Sequence, residues 1–432
     1  MTNPKILLDV CELIIDCEHK TAPTQETGYP SIRTPNIGRG RFILDNVNRV
    51  SEETYIAWTQ RGEPQADDLI LAREAPIGNV AIIPQKLKVC LGQRTVLIRP
   101  NKNSVDPHYL CYVLLGDEVQ GRIKGMSNGA TVHHLNMKDI RNLELPKLPS
   151  ILIQQKNSGI LSAYDDLIEN NTRRIKILEE MAQLLYREWF VNFCFPGHEN
   201  IELVESAIGL IPEGWEVKKL ADVIDVKHGY AFKGNFFTEQ PTNDIVLTPG
   251  NFAVGGGFQG KKLKYYDGDV PKDYILQPKD LLLTMTDLSK TGDTLGFPLF
   301  VPSSKQLRFL HNQRLGKVLI HPNQSLQKNH LYYIFCSDEY RHHVLASATG
   351  STVRHTAPDR IKSFQIVAPV LKLAQEFEGV ADVLRNKIEN LNQKNINLRQ
   401  TRDLLLPKLI SGEIDVEALD FGRLEMGETI AA

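Results

Sequence analysis

The chain contains itself twice, imperfectly, and no other feature constrains its fold as strongly. A stretch near residues 66–190 returns near residues 278–410. The first copy reads Asp68-Leu69-Ile70-Leu71, then Gln93-Arg94 before a Val-Leu-Ile-Arg-Pro strand ending at Pro100. The second reads Asp280-Leu281-Leu282-Leu283, then Gln313-Arg314 before Val-Leu-Ile-His-Pro ending at Pro322. The segment Asn128-Gly129-Ala130-Thr131-Val132-His133-His134 is matched by Thr349-Gly350-Ser351-Thr352-Val353-Arg354-His355. Each copy then passes a proline, Pro149 or Pro369, into a long helix, where Gly159, Glu169 and Asn170 face Gly379, Glu389 and Asn390 in the alignment. A period above two hundred residues is not a solenoid repeat. It is a duplicated domain followed by a duplicated helix, a plan that offers two similar surfaces to one bipartite partner.

The helical part of each copy is amphipathic at heptad spacing. Leu161, Tyr164, Ile168, Asn171, Ile175, Leu178, Ala182, Leu185 and Trp189 lie alternately three and four residues apart, and so do Ala381, Leu384, Ile388, Leu391, Asn395, Leu398, Arg402, Leu405 and Leu409. Such a stripe cannot be buried by one helix alone. At 1.5 Å per residue, ~40 residues make a rod of roughly 60 Å. The simplest solution pairs the two helices within one chain, antiparallel, with Asn171 and Asn395 fixing register. Pro196-Gly197 follows the first helix, and Pro407 is expected to end or kink the second. The expected fold class is therefore α/β: two globular α/β domains, over 1–150 and 196–369, separated by helices over 151–195 and 370–412 that form an antiparallel intramolecular coiled coil. An internal pseudo-two-fold duplication and an acidic tail over 413–432 complete the plan.

Composition narrows the function. The 432 residues are 42% hydrophobic, enough for real cores, and no run approaches eighteen apolar residues, so no membrane partner is expected. Six cysteines are scattered without a Cys-x-x-Cys pair, which fits reduced thiols and a cytoplasmic location. The formal net charge of -2 argues against tight non-specific phosphate binding by this chain alone. It leaves room for base reading with a partner supplying most of the clamp.

Catalytic signals are missing. There is no Gly-x-x-x-x-Gly-Lys-Ser/Thr loop, and Gly255-Gly256-Gly257 is not framed by a strand and a helix. Asp106-Pro107-His108-Tyr109 resembles the Asn/Asp-Pro-Pro-Tyr/Phe box of amino-methyltransferases, but the second proline is absent; it reads as a helix start, with Asp106 capping and Pro107 at the first turn. Cys17-Glu18-His19 has no second Cys/His pair and reads as structural, so no metal is expected. Base readers are easier to find. The loop Ile32 to Arg41 holds Arg33, Asn36, Arg39 and Arg41 and no acid; Arg reads guanine and Asn reads adenine through bidentate edges. A solvated basic loop is the bland alternative. Lys20 and Arg73 join this candidate surface. In the second copy Lys227, Tyr230 and Lys233 combine charge with an aromatic ring, against the plain reading of a strand-turn with a buried aromatic. Thr131, Thr352 and Arg354 sit in the recurring loop, which either touches DNA or packs a domain on its helix.

Taken together these features resemble the specificity subunit of type I restriction-modification enzymes. Leu184-Leu185-Tyr186-Arg187-Glu188-Trp189-Phe190-Val191-Asn192-Phe193 is similar to that family's central-helix ending. Leu210-Ile211-Pro212-Glu213-Gly214-Trp215-Glu216-Val217-Lys218-Lys219-Leu220 is similar to the start of its second recognition domain, and Thr401-Arg402-Asp403-Leu404-Leu405-Leu406-Pro407-Lys408-Leu409-Ile410-Ser411-Gly412-Glu413-Ile414 to its distal-helix ending. The resemblance implies two target recognition domains that read a split, asymmetric double-stranded DNA site. It implies a helical spacer and platform for two modification subunits, which carry S-adenosylmethionine and methylate adenine at N6. Restriction subunits using ATP and Mg would complete the assembly, and the chain itself would hold no catalytic residues and no cofactor. Its functional seam would be Leu161, Ile168, Ile175, Leu178 and Leu185 against Leu384, Ile388, Leu391, Leu398 and Leu405. A single-chain methyltransferase or nuclease, and a coiled-coil scaffold binding only proteins, are the rival classes.

Overall fold

The structure is a computed structural model that describes residues 5–126, 134–260 and 262–417. The chain divides into two compact units. Unit 1 takes residues 1–170 with 395–432; unit 2 takes residues 171–394. Each unit is thus one globular domain plus one half of each long helix.

Unit 1 is built on a four-stranded antiparallel sheet. Cys11–Asp16 pairs with Thr95–Pro100, which pairs with Leu69–Ala72, which pairs with Val80–Ile82. Every residue of Leu69–Ala72 is buried, because both faces of the sheet are covered. Leu69 and Leu71 point to a core shared with the helix Pro107–Leu115. Ile70 and Ala72 point to the opposite core, with Ile32, Ile37 and Leu91. That second core is roofed by a smaller sheet in which Tyr29–Ile32 runs antiparallel to Arg49–Val50 and parallel to Cys90–Leu91. The helix starts as its sequence dictates: the Asp106 carboxylate accepts the Tyr109 N–H at 2.8 Å, and Pro107 fills the first turn.

Unit 2 repeats the plan. Ile224–His228, Leu315–Ile320, Leu281–Thr284 and Pro298–Phe300 form an antiparallel sheet in the same order. The strand Leu281–Thr284 is again buried throughout, with Leu281 and Leu283 on one core and Leu282 on the other. Asp244–Leu247 runs parallel to Arg308–His311, as Tyr29–Ile32 does to Cys90–Leu91. The matching helix, Lys328–Cys336, lacks a side-chain cap of its own. Its second N–H, on Asn329, is taken instead by the Glu378 carboxylate of the distal helix at 3.2 Å.

The repeated Asp-Leu-x-Leu signature is structural. Asp68 and Asp280 each accept a backbone N–H three residues back, from Gln65 at 2.9 Å and Gln277 at 2.8 Å. Each also meets a cation from the long strand: Arg99 at 2.7 Å, Lys317 at 2.6 Å. Asp68 is 3% exposed at its side chain. Removing it strands the Arg99 guanidinium and an unpaired N–H, so Asp68→Ala is expected to lower stability by about 3 kcal/mol. Urea denaturation measures this, and a loss below about 1 kcal/mol would show that the pair is not anchoring the sheet.

The long helices are Ile151–Phe190 and Leu371–Ser411. Within unit 1 the start of the central helix lies antiparallel to the end of the distal one. Leu161 and Leu409 share a buried cluster with Tyr112; the Asn157 amide donates to the Leu409 carbonyl at 3.0 Å, and Arg402 bonds Asp165 at 2.5 Å. Within unit 2 the same direction holds, with Phe190 against Phe377 at a ring separation of 5.0 Å. Burial along the seam is graded. Leu161, Ile168, Asn171, Ala182, Ala381, Asn395 and Leu409 are buried, while Ile175, Leu178, Leu185, Leu384, Ile388, Leu391, Leu398 and Leu405 are half-buried. Pro407 does not end the distal helix, which runs on to Ser411. The last turn is held by Leu409 in its buried cluster and by Asn157 on the Leu409 carbonyl. No helix among the described residues is long and apolar enough to cross a membrane.

Candidate nucleic-acid interface

In unit 1 the loop from Arg33 to Arg41 leaves the strand Tyr29–Ile32 and immediately makes a short 3-10 turn, Thr34–Asn36. Asn36 holds that turn. Its Oδ1 accepts the Arg33 N–H at 3.1 Å and its Nδ2 donates to the Ile43 carbonyl at 3.2 Å. Unit 2 has the same device at the same place. There Pro249–Asn251 forms the 3-10 turn, Asn251 Oδ1 accepts the Thr248 N–H at 2.9 Å, and Nδ2 donates to the carbonyls of Gln259 and Lys262. Two copies of one asparagine doing one backbone job assign Asn36 to the framework.

The three arginines of the loop then part company. Arg39 donates to the Leu115 carbonyl at 2.9 Å, closing the C-terminus of the helix Pro107–Leu115. Arg41 pairs with Asp166 and Glu169 on the central helix. Arg33 is exposed, and among the described residues its guanidinium has no hydrogen bond or ion pair. Lys20, on the loop after Cys11–Asp16, is likewise exposed and unpaired among the described residues. Arg73 is 6% exposed at its side chain and bonds Asp16 at 2.5 Å, His134 at 3.0 Å and the Leu135 carbonyl at 2.9 Å. It ties the first strand to His134 and Leu135 and presents little surface to a ligand. Thr131 lies outside the described residues.

Asp16, Cys17 and His19 bring their polar atoms within 4.8 Å of one another. The set is taken up internally. Asp16 receives Arg73 and the His19 ring at 2.9 Å, and the Cys17 sulfur accepts the Arg94 N–H at 3.2 Å. Burial pushes the Cys17 thiol up, which disfavours the thiolate a metal would need.

In unit 2 Lys227 and Tyr230 do sit together. Lys227 Nζ lies 5.1 Å from the Tyr274 ring centre, and Tyr230 meets Phe232 edge-on at 5.2 Å and Tyr274 at a tilt at 5.3 Å. Phe232 is buried and anchors this aromatic group, while Lys233 beside it is exposed. Thr352 is exposed; Arg354 pairs in the strand Arg354–His355 with Thr286–Asp287 and donates to the Lys290 carbonyl at 3.1 Å.

The repeated Gln-Arg pair marks a loop that both units share. Gln93-Arg94 and Gln313-Arg314 occupy the same loop of both units, between the parallel-paired strand and the long central strand. Arg94 takes a left-handed backbone and pairs with Glu74 at 2.9 Å. Around this shared loop the two units differ. Arg33 and Gly92 follow the paired residues Ile32 and Leu91, and Thr248 and Asn312 follow the paired residues Leu247 and His311. The signal was present in the sequence as the Gln-Arg repeat. Its exposure depended on the sheet pairing, which no local motif states.

A family model described as "Type I restriction modification DNA specificity domain" matches residues 5–180 and again 212–400. The chain belongs to that family, and its duplicated α/β domains are its two DNA specificity domains. Among curated relatives, the type I restriction enzyme MjaIX specificity subunit of Methanocaldococcus jannaschii is 28% identical over 395 residues, covering 88% of this chain and 84% of the relative. The MjaVIII specificity subunit of the same organism is 24% identical, covering 77% and 76%. Among solved structures, the crystal structure of a type I restriction-modification S subunit from M. genitalium superposes with a TM-score of 0.54 at 14% identity, covering 95% of this chain and 97% of that one. At that identity the likeness concerns fold.

Proposed function

We propose that each unit reads one part of a split, asymmetric double-stranded DNA site and that the chain is non-catalytic. One observation carries this reading. A single framework occurs twice, with the same strand order and the same asparagine-held turn, yet the residues beside that turn differ: exposed Arg33 over buried Gly92 in one unit, half-buried Thr248 and Asn312 in the other. Selection for one symmetrical surface would have no use for that divergence. Phosphate contacts position a protein and base contacts specify the sequence, so equal scaffolds with unequal side chains fit two different half-sites.

The helices serve in this reading as the platform for two modification subunits. Those subunits would carry S-adenosylmethionine and methylate adenine at N6; restriction subunits would add ATP- and Mg-dependent cleavage, all in the cytoplasm. Apolar side chains left outside the seam support a docking role. On the unit 2 half of the central helix Ile177, Met181 and Leu184 are 49%, 51% and 53% exposed, one helical face at spacings of four and three.

Co-expression with a modification subunit, followed by methylome sequencing, is expected to give one interrupted motif with methyladenine in both parts. Replacing residues 1–150 by the corresponding stretch of a relative should change one part and preserve the other. A continuous motif, or a change in both parts, would overturn the two-reader model.

A further inference from the structure

We propose that unit 1 reads bases through a shallow groove lined by Thr21, Thr24, Arg33, Asn48, Gly92 and Gln93, with Arg33 as the base-reading side chain and Gly92 as its seat. This rests on the DNA-reading function proposed above and names the surface that performs it.

The lining has hydroxyls, two amides and a guanidinium, and no carboxylate. That is the set of side chains that reads purine edges in the major groove, where Arg forks onto guanine O6 and N7 and Asn or Gln onto adenine N6 and N7. Availability singles out Arg33. Arg39, Arg41 and Arg73 are held by protein partners, whereas Arg33 and the Asn48 amide are exposed and have no side-chain partner among the described residues. Gln93 donates its Nε2 to the His19 carbonyl at 3.3 Å, which orients the amide.

Gly92 explains how Arg33 is aimed. A Cβ at position 92 would stand 2.5 Å from Arg33 Cγ and 2.8 Å from the Ile32 carbonyl oxygen. The arginine stem therefore lies along bare backbone, and any other residue at 92 would push it away. From the other side, Asn36 fixes the Arg33 N–H. A side chain held at its base in this way loses less freedom when it binds. Unit 2 places Thr248 and Asn312 at these two positions. Thr248 Oγ1 donates to Asn251 Oδ1 at 3.3 Å, and Asn312 Oδ1 accepts the Arg314 N–H at 2.9 Å. Arg33 and its glycine seat thus belong to unit 1 alone, as a reader specific to one half-site requires.

The test uses the full chain assembled with its modification subunits, methylating a DNA library randomised across the site. Arg33→Ala should reduce discrimination at one base position of the unit 1 half-site about 10- to 100-fold, the range of a lost bidentate contact, and leave the other half-site unchanged. Gly92→Ala should relax the same position. Arg33→Lys keeps the charge and the stem but loses the fork, so it should relax that position too while the salt dependence stays as in the parent. Arg39→Ala and Arg41→Ala should leave base preference intact. A uniform loss over all sequences with a shallower salt slope would make Arg33 a phosphate contact and overturn the proposal, as would unchanged preference in Arg33→Ala. Thermal melts identify any variant that fails to fold, and Arg33→Lys then decides. If the parent complex shows no split motif, the two-reader function fails; if it shows one that Arg33 variants preserve, only this assignment fails.

Discussion

Phe377→Ala is expected to cost the protein about 3–5 kcal/mol, the range for deleting a buried aromatic ring. Phe377 is 0% exposed and sits where the unit 2 halves of the two helices meet their globular domain. Its ring has Phe190 at 5.0 Å, His330 at 5.8 Å, Tyr186 and Tyr333 at 6.0 Å and Trp189 at 6.2 Å. Five rings around one side chain cannot all relax into the space it leaves, so most of the cavity penalty should remain. The cluster also joins three parts of the chain: the end of the central helix, the start of the distal helix and the helix Lys328–Cys336. Losing its centre should loosen all three contacts at once. Chemical denaturation at neutral pH measures the effect. A loss under about 1 kcal/mol would mean that the neighbouring rings close the gap and that the junction is held elsewhere.

The helical seam was legible because a heptad pattern is a local property. Positions three and four apart share a face whatever the rest of the chain does. What spacing cannot state is depth. Ile175 and Leu178 carry the same pattern as Leu161, yet they are half-buried while Leu161 is fully covered. Leu161 has Tyr112 of the globular domain beside it, and that third neighbour lies 49 residues away in sequence. A charge at Leu161 should accordingly be worse tolerated than one at Ile175.

The interface was less legible, for a different reason. An arginine or asparagine in a polar loop looks the same in sequence whether it faces solvent or closes the fold. Arg41 is taken by Asp166 and Glu169, more than a hundred residues downstream, and Arg73 by Asp16 and His134. These long-range partners leave no local trace. The duplication was the one sequence signal able to separate framework from reader. Asn36 and Asn251 occupy the same turn, and that agreement marks structure. Arg33 and Thr248, three residues before those asparagines, disagree, and disagreement on a shared frame is where two half-sites would be told apart. Aligning the copies residue by residue through that turn requires the parallel pairing of Tyr29–Ile32 with Cys90–Leu91, a contact between segments that carry only short matching runs.

Between pH 7.5 and 5.5, stability is expected to fall, with His311 and His330 of unit 2 as the source. His330 is 1% exposed among aromatic rings, and burial pushes its pKa down to about 3. His311 is also 1% exposed; burial pushes it down to about 4, with its Nε2 donating to the Leu315 carbonyl at 3.0 Å and Lys317 and Lys227 adding repulsion. Once unfolded, both take a proton near the ordinary value of 6.5. Below that value the unfolded chain binds more protons than the folded one, so their contribution is complete above pH 6.5 and drains away as the pH drops. Each histidine adds a slope approaching about 1.4 kcal/mol per pH unit in that window. Glu378 and Glu179, raised by burial, act in the opposite sense, so the comparison between variants is the decisive measurement. Denaturation at pH 7.5, 6.5 and 5.5 should show a steep loss in the parent chain. In His330→Leu, which has no ring to protonate, the loss should be shallower by roughly that one-histidine slope. Equal slopes in the two proteins would mean that His330 is not the group being protected from water.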